Sequence, residues 1–176
     1  MNIFVLDKDP VVAAQMQCDK HVVKMILESA QMLSTAHRLL DGEDVDERLY
    51  KVAHPKHPCT LWTMESTENY RWLYQHFVAL AVEYKMRYNK THKSYEKLSE
   101  VLSQCPKNIP KGRGLTEFRL AMGSNPECKF EGNPVKSYRA FYKTKEKRFE
   151  MKWTKRKKPI WFLTDDSNCV SIQQTI

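Results

Sequence analysis

The chain has 176 residues and a mass of 20.8 kDa, room for one domain and not for two. Its 41% hydrophobic and 28% charged residues exclude a wholly disordered chain, and only five glycines argue against a fold of many tight hairpins. No apolar run approaches the roughly 20 residues of a transmembrane helix, so no membrane partner is expected.

The first residues, Met1 to Asp7, lack a basic n-region and a cleavage site, which predicts a cytoplasmic protein. Ile3–Leu6 is the only strand candidate, too little for a sheet. Asp9-Pro10 reads as a helix start, with Asp9 as cap and Pro10 in the first turn. From there Cys18, Val22, Ile26, Ser29, Leu33, Ala36 and Leu40 recur at helical spacing, predicting one helix over about 10–40. Residues 41–57 read as a connection. His57-Pro58 opens a second helix to about residue 88, with Trp62, Asn69, Leu73, Phe77, Leu80 and Tyr84 inward, and a third covers about 92–104. The Pro- and Gly-punctuated stretch 105–133 reads as a long loop with one helical turn near 116–122. Asn133-Pro134 then caps a helix over about 134–150. The expected fold is all-α: a single compact domain over 1–162 with about four helices, a long irregular loop and a basic C-terminal helix, then a polar tail over 163–176.

Charge is segregated. Residues 1–60 carry 7 Lys/Arg against 9 Asp/Glu, whereas residues 135–161 carry 11 against 2. In that basic segment Arg139, Tyr142, Lys143, Trp153, Lys155, Arg156, Lys157 and Lys158 interleave cations with aromatics. Phosphates attract such a stripe and bases stack on its rings, so DNA is the expected partner. The bland alternative is a solvated face whose rings pack inward.

Cys18-Asp19-Lys20-His21-Val22-Val23-Lys24 places an acid, a cation and an imidazole within one turn, and His21, Lys24 and Glu28 share a helix face. Those groups suit proton transfer beside a phosphate. Glu65 and Asn69 lie on an apolar stripe, where they either form a structural network or support a site; His57 is a further candidate. The His and Cys spacings match no zinc pattern, and P-loop, GxGxxG, GxSxG and HExxH motifs are absent, so neither metal nor cofactor is expected. The five scattered cysteines, without a CxxC, read as reduced thiols.

The order of these elements resembles the phage pyrimidine-dimer DNA glycosylases of the endonuclease V type. The resemblance spans about 3–90 and, more weakly, 108–161. It rests on the short extended N-terminus, the long helix with its basic-acid motif, and the Pro-led aromatic helix from Pro58 to Tyr88. It continues through Asn108-Ile109-Pro110 to Tyr138, Arg139, Phe141 and Tyr142. It implies an all-α, metal-free DNA-repair enzyme of the host cytoplasm. Such an enzyme attacks sugar C1′ with its N-terminal amine, forms an imine, expels the base and cleaves the backbone as an AP lyase. An α-amine titrates near ~8, so part of it is nucleophilic at neutral pH. Carried over by position, Lys20 and Lys24 fall near phosphate-binding positions. His21 falls where a catalytic glutamate is expected, with Asp19 the nearest acid. Asn2 is too large to permit removal of Met1, so the amine is that of Met1, or Lys20 forms the imine instead. Two alternatives stand beside this reading. One is a basic DNA-binding protein without chemistry; the other is a nucleotide-level enzyme using Asp19 and His21 as acid and base.

Overall fold

The structure, a computed structural model, describes residues 1–164, so the tail expected over 163–176 lies almost wholly outside the described residues. Among these the secondary structure is all helical. Asp9 caps α1 (Pro10–Gln15), accepting from the N–H groups of Val11 and Val12. The helix expected over 10–40 is two helices. It stops after Gln15 and resumes as α2 (Asp19–Asp41). The break persists because distant groups bind the backbone there. The Cys18 N–H donates to the Tyr142 hydroxyl at 2.9 Å, and the Asp19 N–H to the Lys152 carbonyl at 2.8 Å. The carbonyls of Gln15 and Gln17 accept from Arg87 at 3.1 and 2.8 Å.

The helix expected over 58–88 also divides, at Ser66, into α3 (Pro58–Glu65) and α4 (Thr67–Tyr88). Ser66 is extended, and its Oγ accepts from the Asn69 N–H at 3.0 Å, the geometry of an N-cap. Next comes α5 (Lys93–Leu102). The helical turn expected near 116–122 does not form. The Thr116 N–H donates to Asn69, the Ala121 N–H to Tyr138, and the Arg119 carbonyl accepts from Tyr138, all of which compete with local hydrogen bonding. Within the loop only Pro126–Cys128 winds into a 3₁₀ turn. The last long helix, α6 (Pro134–Lys143), begins at the expected Asn133 cap but ends well before residue 150. Thr144 turns its hydroxyl onto the Phe141 carbonyl at 2.6 Å, and a 3₁₀ turn (Thr144–Lys147) follows. A short α7 (Ile160–Leu163) ends the described chain.

Ile3–Leu6 pairs with no strand, yet each of the four residues is at most 3% exposed. Buried peptide groups need partners. Here side chains supply some of them: Gln17 donates to the Ile3 carbonyl and Arg139 Nε to the Leu6 carbonyl. In the same core Trp62, Tyr70, Phe77, Tyr138 and Tyr142 are at most 1% exposed.

Arg87, in the last turn of α4, is fully buried. Its guanidinium holds Glu83 at 3.0 Å, Asp19 at 3.1 Å and the two carbonyls at the α1–α2 break. Glu83 also binds Arg156. Replacing Arg87 with methionine strands both carbonyls and leaves Glu83 with Arg156 alone, so urea unfolding should show a loss of about 2–4 kcal/mol.

Candidate active site and DNA-facing surface

The N-terminal segment emerges from the core beside α2. There the Met1 α-ammonium lies 3.2 Å from Glu28 Oε1. Glu28 is 7% exposed; its other oxygen accepts no hydrogen bond among the described residues, and Lys24 Nζ stands 4.0 Å from it. Thr60, in the first turn of α3, turns its hydroxyl towards Met1 Sδ at 3.8 Å. His57, just before α3, is half-buried and accepts the Cys59 N–H on Nδ1 at 3.1 Å. Burial pushes its pKa down, and the Met1 amine and His54 act in the same direction against Glu28. An amine, a buried carboxylate and an imidazole thus share one neighbourhood.

Next to it lies His21, whose Nδ1 shares a 2.8 Å hydrogen bond with the Tyr142 hydroxyl and whose ring stacks on Phe4 at 4.8 Å. Burial, together with Lys145, Lys24 and Lys20, holds its pKa down at about 4, so it is neutral at pH 7. These cations line the outer side. Lys20 Nζ lies 4.6 Å over the Phe149 ring and Lys145 Nζ 4.3 Å over Phe141. Lys145 has its own pKa lowered, first by burial and then by Arg148 and Lys24. Basic groups from α2 and from the segment after α6 converge on the rim of the amine–carboxylate pair. Such a concentration of one sign attracts phosphate.

A family model of pyrimidine dimer DNA glycosylases matches residues 1–96, more than half of the chain. The chain belongs to that family. No curated protein and no solved structure matches it. Membership makes it a DNA-repair glycosylase with DNA as substrate. The matched stretch holds Met1, Lys24, Glu28 and His57, while Lys145 and Arg148 lie beyond it.

For this glycosylase the structure redistributes the residues singled out from sequence. Met1, Lys20, His21 and Lys24 fall together. Glu28, however, is the carboxylate beside the amine, seven residues and two helical turns beyond His21. Asp19 faces elsewhere, pairing with Arg87 and accepting from the backbone and hydroxyl of Thr154 at 2.9 and 2.5 Å. Much of the expected DNA-binding stripe serves the interior. Tyr142 is fully buried. Arg139 binds Leu6 and sits 5.2 Å over Trp161, and Trp153 donates to the Met16 carbonyl at 2.8 Å. Arg156 pairs with Glu83, Lys155 donates to the Met86 carbonyl, and Lys143 to the Thr164 carbonyl. Lys158 lies over Trp153 and Phe162, and Lys157 is exposed. Glu65 and Asn69 form a hydrogen-bonded network. Asn69 donates to the Trp62 carbonyl and to Thr116 Oγ1; Glu65 accepts from Thr116 and pairs with Arg119. Sequence reasoning placed Glu28 on one helix face with His21 and Lys24 without linking it to Met1, and it passed over Lys145 and Arg148 as members of a longer run.

His21 and the fully buried His76 both have pKa values lowered to about 4, chiefly by burial. Between pH 6.5 and 4 the unfolded chain therefore binds more protons than the folded one. Their stabilising contribution is complete above pH 6.5 and is lost as pH falls towards 4. Urea unfolding should show a decline on the order of 3 kcal/mol per histidine across this window, and His21→Phe should remove its own share.

Proposed function

We propose that this glycosylase excises its target base through an imine on the Met1 α-amine and then cleaves the strand as an AP lyase. The observation carrying this reading is the 3.2 Å approach of the amine to the buried Glu28 carboxylate. The neutral amine adds to C1′ and the base leaves with the electron pair of the N-glycosidic bond, taking up a proton. One amine proton is passed on as O4′ leaves C1′ and becomes a hydroxyl, which gives the protonated imine. Glu28 removes a C2′ proton, the 3′ phosphate departs, and water hydrolyses the imine to regenerate Met1. Lys20, Lys24, Lys145 and Arg148 hold the flanking phosphates. Because C1′ is shielded in the stacked duplex, the target nucleotide must be displaced. The family name makes a pyrimidine dimer in duplex DNA the first substrate to offer.

Asp19 and His21 support the nucleotide-level alternative poorly, since Asp19 is occupied by Arg87 and Thr154 and His21 is buried under Phe4 and Tyr142.

Borohydride should trap the protein on an oligonucleotide with one abasic site, and acylation of the α-amine, verified by mass of the N-terminal peptide, should abolish the adduct. An adduct that survives acylation moves the nucleophile to a lysine, Lys20 first. No adduct despite tight, salt-sensitive binding leaves a DNA-binding protein without lyase chemistry. Glu28→Gln should slow strand cleavage by about 10²–10⁴-fold. Lys24→Gln and Lys145→Gln should each lower the slope of log affinity against log salt by about 0.9 when the phosphate contact is lost, with Arg156→Gln acting on stability instead.

A further inference from the structure

The nucleophile's position depends on the residue that follows it. Asn2 is 7% exposed, and its side chain is committed at both ends. Its Oδ1 accepts from the N–H groups of Ile3 at 2.7 Å and Phe4 at 3.0 Å. Its Nδ2 donates to the Ala121 carbonyl at 2.9 Å, across 119 residues of sequence. Phe4 adopts φ +58°, a region that bulky residues occupy only when their surroundings impose it. The tight turn closes with the Leu6 N–H donating to the Phe4 carbonyl at 2.8 Å. This turn directs Met1 back towards α2 and α3, with its amine at Glu28 and its sulfur at Thr60.

Resting on the imine reading above, we propose that Asn2 is the positioning residue of the reaction: its clasp on Ile3, Phe4 and Ala121 sets the register at which the Met1 amine meets Glu28. One residue of chain spans about 3.8 Å, so a slip of one position removes the amine from the carboxylate altogether. The loop segment carrying Ala121 is itself held by Tyr138, whose hydroxyl accepts the Ala121 N–H and donates to the Arg119 carbonyl. The amine is thereby referenced to α6 as well as to its own segment.

The test compares wild type with Asn2→Leu, which has a similar volume, forms none of the three bonds and is still too large to permit removal of Met1. Asn2→Asp keeps the two accepted bonds, loses the donor to Ala121 and sets a carboxylate oxygen against that carbonyl. Borohydride trapping on abasic duplex at saturating DNA should slow by about 10²-fold in Asn2→Leu, the cost of a displacement near 1 Å, and less in Asn2→Asp, while DNA affinity changes little. Separately, reductive methylation of the α-amine by formaldehyde, read on the N-terminal peptide, should run several-fold faster in Asn2→Leu, because the amine is released from Glu28. Equal trapping rates in wild type and variants overturn the proposal. If wild type itself forms no adduct, the imine reading falls and the role in the reaction falls with it; methylation then tests only the register, which a faster rate in the variant upholds and an equal rate overturns. Should Asn2→Leu fail to fold, Asn2→Asp carries both comparisons.

Discussion

A buried guanidinium must find acceptors for its donors, and the rest of this structure is arranged around how Arg87 finds them. Two carboxylates and two main-chain carbonyls meet it. Those carbonyls are accessible only because the chain leaves the helix between Gln15 and Asp19. That departure lets α2 start on a new axis, and α2 carries His21, Lys24 and Glu28 on one side. Asp19 thus binds Arg87 and Thr154 at the start of α2. The C-terminal run is drawn into the same arrangement through Arg156 on Glu83 and Thr154 on Asp19.

The site combines a shielded ion pair with an exposed cationic rim. Water is scarce around Glu28, so its attraction for the amine is screened less than at the surface. Lys145 has its pKa lowered first by burial and then by the neighbouring charges of Arg148 and Lys24. Under the proposed function a phosphate arriving among them relieves that repulsion. Neutral His21 separates rim from core: Phe4 and Phe149 pack on its ring and Tyr142 holds its Nδ1.

Much of the helical content was legible in the sequence, because amphipathic spacing and caps act locally. Asp9-Pro10, His57-Pro58 and Asn133-Pro134 all mark real helix starts. Both missed breaks have causes that periodicity does not register. No glycine or proline marks residues 16–18, and the groups that hold them open, Tyr142, Lys152 and Arg87, lie far along the chain. Ser66 is different, since its side chain caps Asn69 in a local signal that the surrounding apolar spacing obscures. Composition likewise located the positive charge but not its use. Within one basic segment Arg156 faces a buried acid while Lys145 faces the rim, and only tertiary packing separates the two. The pairing of Met1 with Glu28 joins a terminus to a helix face, a contact for which no spacing rule exists.

The core-threaded start of the chain has a consequence for how the protein is made. The segment from Asn2 to Leu6 depends on Gln17, Ala121 and Arg139 for its fixed path. Contacts of such long sequence separation form late, since the intervening chain must be synthesised and closed before they can be satisfied. The Met1 amine is therefore among the last groups to reach its place beside Glu28. A growing chain that has not yet delivered α6 lacks Arg139 and Tyr138, the distant partners that hold this segment and the loop it binds.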